Sequence, residues 1–174
     1  LVLWDACRGA EVVVELGCRF GHGAALILDA LGPDGCLVSV DVEFQLNSRD
    51  RQRQADEPVV IVDEDDRRWT RIVGSSLDAG VREDVVARFG EPDVVFMDSK
   101  HDAEHVRAEL AVWGSSPVVV IHDTRERGVW EPVCEYACSS GAMRDVRMYA
   151  GFLGLGVVSG PARQEWPGGR HWSW

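Results

Sequence analysis

Short runs of branched apolar residues alternate along this chain with stretches in which apolar positions recur every three or four residues. Residues 12–16 (VVVEL), 37–42 (LVSVDV), 71–74 (RIVG), 93–98 (DVVFMD) and 118–123 (VVVIHD) read as strands. Helical spacing follows over 22–31, closed by Gly32 and Pro33, and again over 81–89, 103–113 and 128–138. Two further strands, 143–149 and 155–159, close the pattern. Near-continuous Val/Ile/Leu runs are what strands covered on both faces require, and such strands are usually parallel. The alternation predicts an α/β fold: a doubly wound, mostly parallel seven-stranded sheet with helices on both faces and right-handed crossovers.

One segment breaks this rhythm. Residues 47–68 are rich in Arg, Asp, Glu and Gln, with an apolar insert at 59–62 (VVIV). They read as a solvated helix and loop with a short edge strand, or as a flap near a ligand.

At 174 residues the chain suits a single domain spanning 1–174. It opens at Leu1 without a methionine and close to the first strand, which fits either a missing upstream helix or a processed protein. Hydrophobic residues at 45% and charged residues at 27% are an ordinary globular balance. A formal charge of −11 without a clustered Lys/Arg stripe argues against nucleic acid and for a small molecule as partner. No apolar run reaches the roughly 18 residues of a membrane span, and no signal peptide precedes the first strand. The five cysteines (Cys7, Cys18, Cys36, Cys134, Cys138) are odd in number and irregularly spaced, which fits reduced thiols and a cytoplasmic location.

The chemistry lies in where polar residues fall. Each apolar run ends on its carboxyl side in one: Glu15, Asp41, Ser75, Asp98, then His122 with Asp123. In an open parallel sheet those ends share one edge, and ligands bind in the crevice there. Helix capping accounts for any one of them, and for five together less well. The first turn, ELGCRFGHGA, carries Gly17, Gly21 and Gly23 before a helix start, with His22 presenting its backbone N–H. Its spacing departs from G-x-G-x-x-G, which disfavours a nucleotide-dependent oxidoreductase. A carboxylate at the second strand end, here Asp41, can accept both hydroxyls of a ribose.

These segments, from VVVELGCRFGHGA through VSVDVE, RIVGSS, VVFMDSKH and VVVIHDT to GLGVV, resemble class I S-adenosylmethionine (SAM)-dependent methyltransferases. The resemblance is strongest to the small metal-dependent O-methyltransferases of the cephalosporin hydroxylase type and to sugar O-methyltransferases. It implies that Glu15, Gly17 and Gly21 shape the methionine end of a SAM pocket. Asp41 would hold the ribose with Glu43 close by, and Ser75 and Ser76 would approach the adenine. It implies further that Asp98 and Asp123 bind a divalent metal, with His122 where an acidic ligand is expected, and that His101 is the base for the acceptor hydroxyl. His105, four residues on, would share its helical face.

Two carboxylates and an imidazole suit manganese, iron, cobalt or zinc better than magnesium, which prefers an oxygen octahedron. The turn Ser99-Lys100 also departs from the acid-rich family pattern, which leaves a metal-free or non-catalytic SAM-binding domain as the alternative. A helix N-terminus and a nearby metal would keep His101 neutral. The tail WPGGRHWSW, with Trp166, Trp172 and Trp174, would pack over the sheet edge, line the acceptor pocket or form a contact between copies in a homo-oligomer.

Overall fold

The computed structural model describes residues 2–139, 145–149 and 154–159. The chain runs α1 (Val2–Cys7), β1 (Val12–Leu16), α2 (His22–Ala30), β2 (Cys36–Asp41), α3 (Arg49–Gln54), β3 (Trp69–Val73) and α4 (Ala79–Phe89). It continues through β4 (Val94–Met97), α5 (Ala103–Trp113), β5 (Val118–His122), α6 (Arg127–Ser139), β6 (Asp145–Tyr149) and β7 (Leu155–Ser159). The seven strands form one sheet in the order β3-β2-β1-β4-β5-β7-β6. β1 to β5 are mutually parallel, and β7 runs antiparallel to both β5 and β6. The predicted fold class is therefore observed.

The apolar runs are long because each strand feeds two cores. Val13, Leu37, Val94, Phe96, Val118 and Val120 face α1 and α2, with Leu3, Ala6, Ile27 and Leu28. Their neighbours Val14, Val38, Val40, Val95, Met97, Val119 and Ile121 face the other way, onto Val85, Val106, Leu110, Trp113, Val129 and Val133. The two-residue period of a strand sorts a single apolar run into both layers.

The pairing also builds the edge. β1 is hydrogen-bonded to β2 on one side and β4 on the other, so the strand order reverses there. Leu16 stands opposite both Val40 and Met97, and Met97 opposite Ile121. The next residues, Gly17, Asp41, Asp98 and His122, therefore line up along one rim.

A helix, α1, precedes β1; its six residues are too few to show a helical period in the sequence. One expectation changes. The insert 59–62 is not an edge strand, although its backbone is held almost like one. The Gln52 carboxamide donates to Val60 O (3.0 Å) and accepts from Val60 N (2.7 Å). Asn47 donates to Val62 O (3.2 Å) and accepts from Val62 N (3.0 Å). Side-chain amides thus stand in for a neighbouring strand at alternate residues. Gln52 is fully buried in doing so, and Val62 packs against Gly21, so the segment is anchored over the first turn. The predicted strand over 143–149 is described from Asp145 onward, and the tryptophan tail lies outside the described residues. No helix among the described residues is long and apolar enough to cross a membrane. All five cysteines are free thiols.

Candidate functional site

Two clusters of sequence-predicted residues meet at the rim. The first is the β1–α2 turn. Gly17 and Gly21 adopt φ of +85° and +88°, which only glycine takes without strain. A Cβ on Gly17 would lie 2.7 Å from the Ser99 Cα and closer still to the Asp98 carbonyl, so this glycine lets the turn lie directly on the β4 end. Asp41 Oδ2 accepts from the backbone N–H groups of Cys18 (2.7 Å) and Arg19 (2.8 Å), and Oδ1 accepts from Glu43 N (3.1 Å). The Asp41 carboxylate thereby ties the β2 end to the glycine turn. Glu43 is exposed and pairs with Arg51 at 3.5 Å.

Glu15 lies beneath this turn and is fully buried. Ser39 Oγ donates to its Oε2 (2.5 Å), and its Oε1 has no partner. Gly23 leaves room for it, since a Cβ there would meet both Glu15 and the Phe96 ring. Burial pushes the Glu15 carboxyl up to about 7, with Ser39 and Cys18 only partly offsetting it. Ser75 is exposed beyond β3, its hydroxyl accepting from Leu77 N (3.2 Å). Ser76 is buried and turns inward, donating to Glu109 (2.5 Å).

The second cluster stands at the ends of β4 and β5. Asp98, His101, His122 and Asp123 each bring one ligand atom within 4.8 Å of all the others. His101 Nδ1 is 2.8 Å from Asp123 Oδ2, and His122 Nδ1 is 3.2 Å from Asp98 Oδ1 and 3.0 Å from Asp123 Oδ1. His101 Nε2 is 3.5 Å from Asp98 Oδ1. His101 precedes Asp102, the N-cap of α5, whose side chain accepts from His105 N (3.0 Å). Asp123 holds φ +54°, a strained value that Asp tolerates better than most residues and that recurs at functional sites.

Several atoms here are buried yet make no hydrogen bond: His101 Nε2, His122 Nδ1 and Asp123 Oδ1, with Thr124 Oγ1 beside them. Buried polar atoms are seldom left so. Two imidazoles and two carboxylates with ligand atoms converging within 4.8 Å fit the donor set of a divalent cation.

Without a cation, the two histidines draw on the carboxylates beside them. The Asp98 carboxylate raises His122 to about 9 against the opposing effect of burial, with Asp123 adding to the rise. Asp98 likewise raises His101, again against burial, with Asp123 adding. Burial pushes Asp98 up, but His101 and His122 together hold it below the usual carboxylate range.

Sequence reasoning missed Glu109, which lies among Val106, Leu110 and Trp113 on the buried face of α5. The signal was present, since position 109 belongs to the apolar stripe of that helix and a lone acid on such a stripe needs partners. Lys100 points away, pairing with Asp102 at 2.5 Å.

Residues 8–124, more than half of the chain, match the family described as Rhamnosyl O-methyltransferase/CmcI. The chain belongs to that family. No curated protein matches its sequence. Among solved structures it resembles MycE methyltransferase from the mycinamycin biosynthetic pathway, in complex with Mg and SAH, at 18% identity and TM-score 0.58. That match covers 90% of this chain and 47% of MycE, so the chain spans about half of its length. The O-methyltransferase TomG from Streptomyces achromogenes, in complex with SAM, aligns at 20% identity and TM-score 0.58, covering 91% of this chain and 78% of TomG. An O-methyltransferase from Bacillus cereus, in complex with SAH, aligns at 15% identity and TM-score 0.61, covering 91% and 77%. At these identities the likeness shows a shared fold, the class I methyltransferase sheet.

Proposed function

We propose that this chain transfers the methyl group of SAM to a hydroxyl of a small-molecule acceptor, assisted by a divalent cation and a histidine base. The observation that carries the reading is the adjacency of the two clusters. The glycine turn rests on the Asp98 backbone, so a donor bound over that turn would lie beside the four converging ligand atoms. Complexes of MycE with Mg and SAH, and of MycE with mycinamycin VI, support this use of the fold.

In this reading Glu15, Gly17, Gly21, Asp41, Glu43, Ser75 and Ser76 form or support the SAM pocket. Asp98, His122 and Asp123 hold the cation, which when bound lowers the pKa of the acceptor hydroxyl and fixes its direction. His101 accepts the proton. Its Nδ1 faces Asp123 at 2.8 Å, which favours the tautomer with the proton on Nδ1 and the free lone pair on Nε2. The acceptor O–H bond breaks to His101 Nε2, the new C–O bond forms with the methyl carbon, and the C–S bond breaks in line to leave SAH. Holding donor and acceptor in line supplies much of the rate. With His122 in the donor set, manganese, iron, cobalt or zinc should bind more tightly than magnesium.

The test is methyl transfer from SAM to a panel of small hydroxyl compounds, after chelation and after re-addition of single cations. Activity should return best with cobalt, manganese or zinc. Full activity in chelator would remove the cation. SAH binding without transfer to any acceptor would favour a non-catalytic SAM-binding domain, the reading to which the departures at Ser99-Lys100 and His122 point.

A further inference from the structure

Glu109 is the one charged side chain of α5 that is buried, at 1% exposure, and the chemistry above does not use it. A single oxygen, Oε1, accepts from Ser76 Oγ (2.5 Å) and Ser99 Oγ (2.6 Å) and lies 3.1 Å from His105 Nε2. His105 Nε2 is also 3.1 Å from Ser99 Oγ. Trp113 Nε1, one turn along the same helix, donates to the Ser76 carbonyl (2.7 Å).

A neutral acceptor would satisfy one or two of these donors. A carboxylate oxygen gathers all three, because charge-assisted hydrogen bonds are stronger and shorter. Burying a carboxylate is costly, so retaining one without a cationic Lys or Arg partner calls for a reason. Its two hydroxyl partners supply it. Ser76 belongs to the loop after β3, beside the exposed Ser75. Ser99 follows Asp98 directly and lies two residues before His101. The same carboxylate therefore grips the loop assigned to the cofactor and the turn that carries the cation cluster. Glu109 also lines a small cleft with Ser99, His101 and His122.

We infer that Glu109 is a positioning residue that couples the two halves of the site, so that cofactor and cation bind cooperatively. The inference rests on the methyltransferase reading, which assigns the two loops to those two ligands. Ordering the β3–α4 loop around a nucleoside fixes Ser76, hence Glu109 and Ser99, and brings the Asp98–His101 turn to its ligating arrangement. The reverse must hold to the same factor, since coupling between two binding sites is reciprocal.

The experiment measures SAH affinity by calorimetry with and without cobalt(II), and cobalt affinity with and without SAH. The visible spectrum of bound cobalt reports on the cluster directly. In the wild-type chain each ligand should tighten the other by about 5–50-fold, within the usual range for such coupling, and SAH should shift the cobalt spectrum. In Glu109→Gln the mutual enhancement should fall to about twofold or less and the spectral shift should vanish. Each ligand measured alone should keep its affinity to within about threefold. A purely structural role would instead weaken each ligand alone and leave the enhancement intact. If Glu109→Gln does not fold, Ser99→Ala and Ser76→Ala each cut one arm and should each reduce the coupling. Wild-type chain that binds both ligands independently overturns the coupling while leaving the methyltransferase reading standing. Failure of the wild-type chain to bind SAH, or to bind cobalt, overturns that reading and the coupling with it.

Discussion

The two halves of the rim treat their polar groups in opposite ways. Around the glycine turn the polar groups are tied to the chain itself, with the Asp41 carboxylate taking three backbone N–H groups and Glu15 Oε1 the exception. At the ends of β4 and β5, buried nitrogens and oxygens of His101, His122 and Asp123 converge without hydrogen bonds. A surface for an adenosine and its ribose hydroxyls needs a fixed shape, and internal hydrogen bonds hold shape. A surface for a cation needs donor atoms that the chain has not tied up in its own hydrogen bonds, and the cation would take the place of the proton His122 holds without it. Under the proposed function, the contrast means that the first half is built before its ligand binds and that the second is completed by it.

The largest effect should come from the residue where the halves touch. Gly17→Val would drive a branched side chain into the Asp98 and Ser99 backbone at φ +85°. SAH and cobalt binding should both be lost in a chain that retains its secondary structure by circular dichroism. Loss of SAH binding alone would mean that the turn can lift away from β4, and the halves would be independent there.

Next in size is a change confined to the cation half. His101→Ala should lower the methyl-transfer rate by roughly 10²–10⁴, the usual range for a removed general base, with SAH affinity unchanged. The loss should be greatest for weakly acidic alcohols and smaller for phenols. The spectrum of bound cobalt separates base from ligand, because His101 stands within the four-residue cluster. An unaltered spectrum keeps His101 as base, and a changed coordination geometry makes it a fourth ligand.

Asp41→Ala is the matching change in the cofactor half. It should weaken SAH by about 1.5–3 kcal/mol, the range for hydrogen bonds to a charged group. Cobalt affinity should hold. Since Asp41 also fastens Cys18 and Arg19, Asp41→Asn should recover part of the loss if its role is to accept from the turn. No recovery would favour direct contact with the ribose hydroxyls.

How much of this was legible in the sequence follows the same division. Strand ends, the glycine turn and Asp98, His122 and Asp123 could be read because they close apolar runs, whereas His101 was singled out only through the family resemblance. The segment 47–68 could not, because Gln52 and Asn47 replace a strand with side-chain amides, and polar composition alone does not show that. Glu109 was passed over because a helical stripe was read for its apolar members.

The smallest effect on either ligand should come from Glu15, which lies under the seam. Its carboxyl is fully buried and is pushed from an ordinary 4.5 to about 7, chiefly by burial. A group whose folded value is raised adds stability below its unfolded value and loses that contribution as pH rises through the folded one. Glu15 should therefore make the protein progressively less stable between about pH 4.5 and 7, by on the order of 2–3 kcal/mol. Glu15→Gln keeps the shape and removes the ionisation, so its melting temperature should decline less across that window. At pH 8 the variant should melt higher than the parent by several degrees, given roughly 2–4 °C per kcal/mol for a chain of this size. SAH and cobalt affinities should stay within about threefold at neutral pH, because the side chain holds the turn from below. Parallel melting curves for parent and variant would show that the buried carboxyl finds a stabilising partner when ionised. A tenfold loss of SAH with unchanged stability would instead bring Glu15 into direct contact with the cofactor, and the cofactor half would then contain a polar group waiting for its ligand after all.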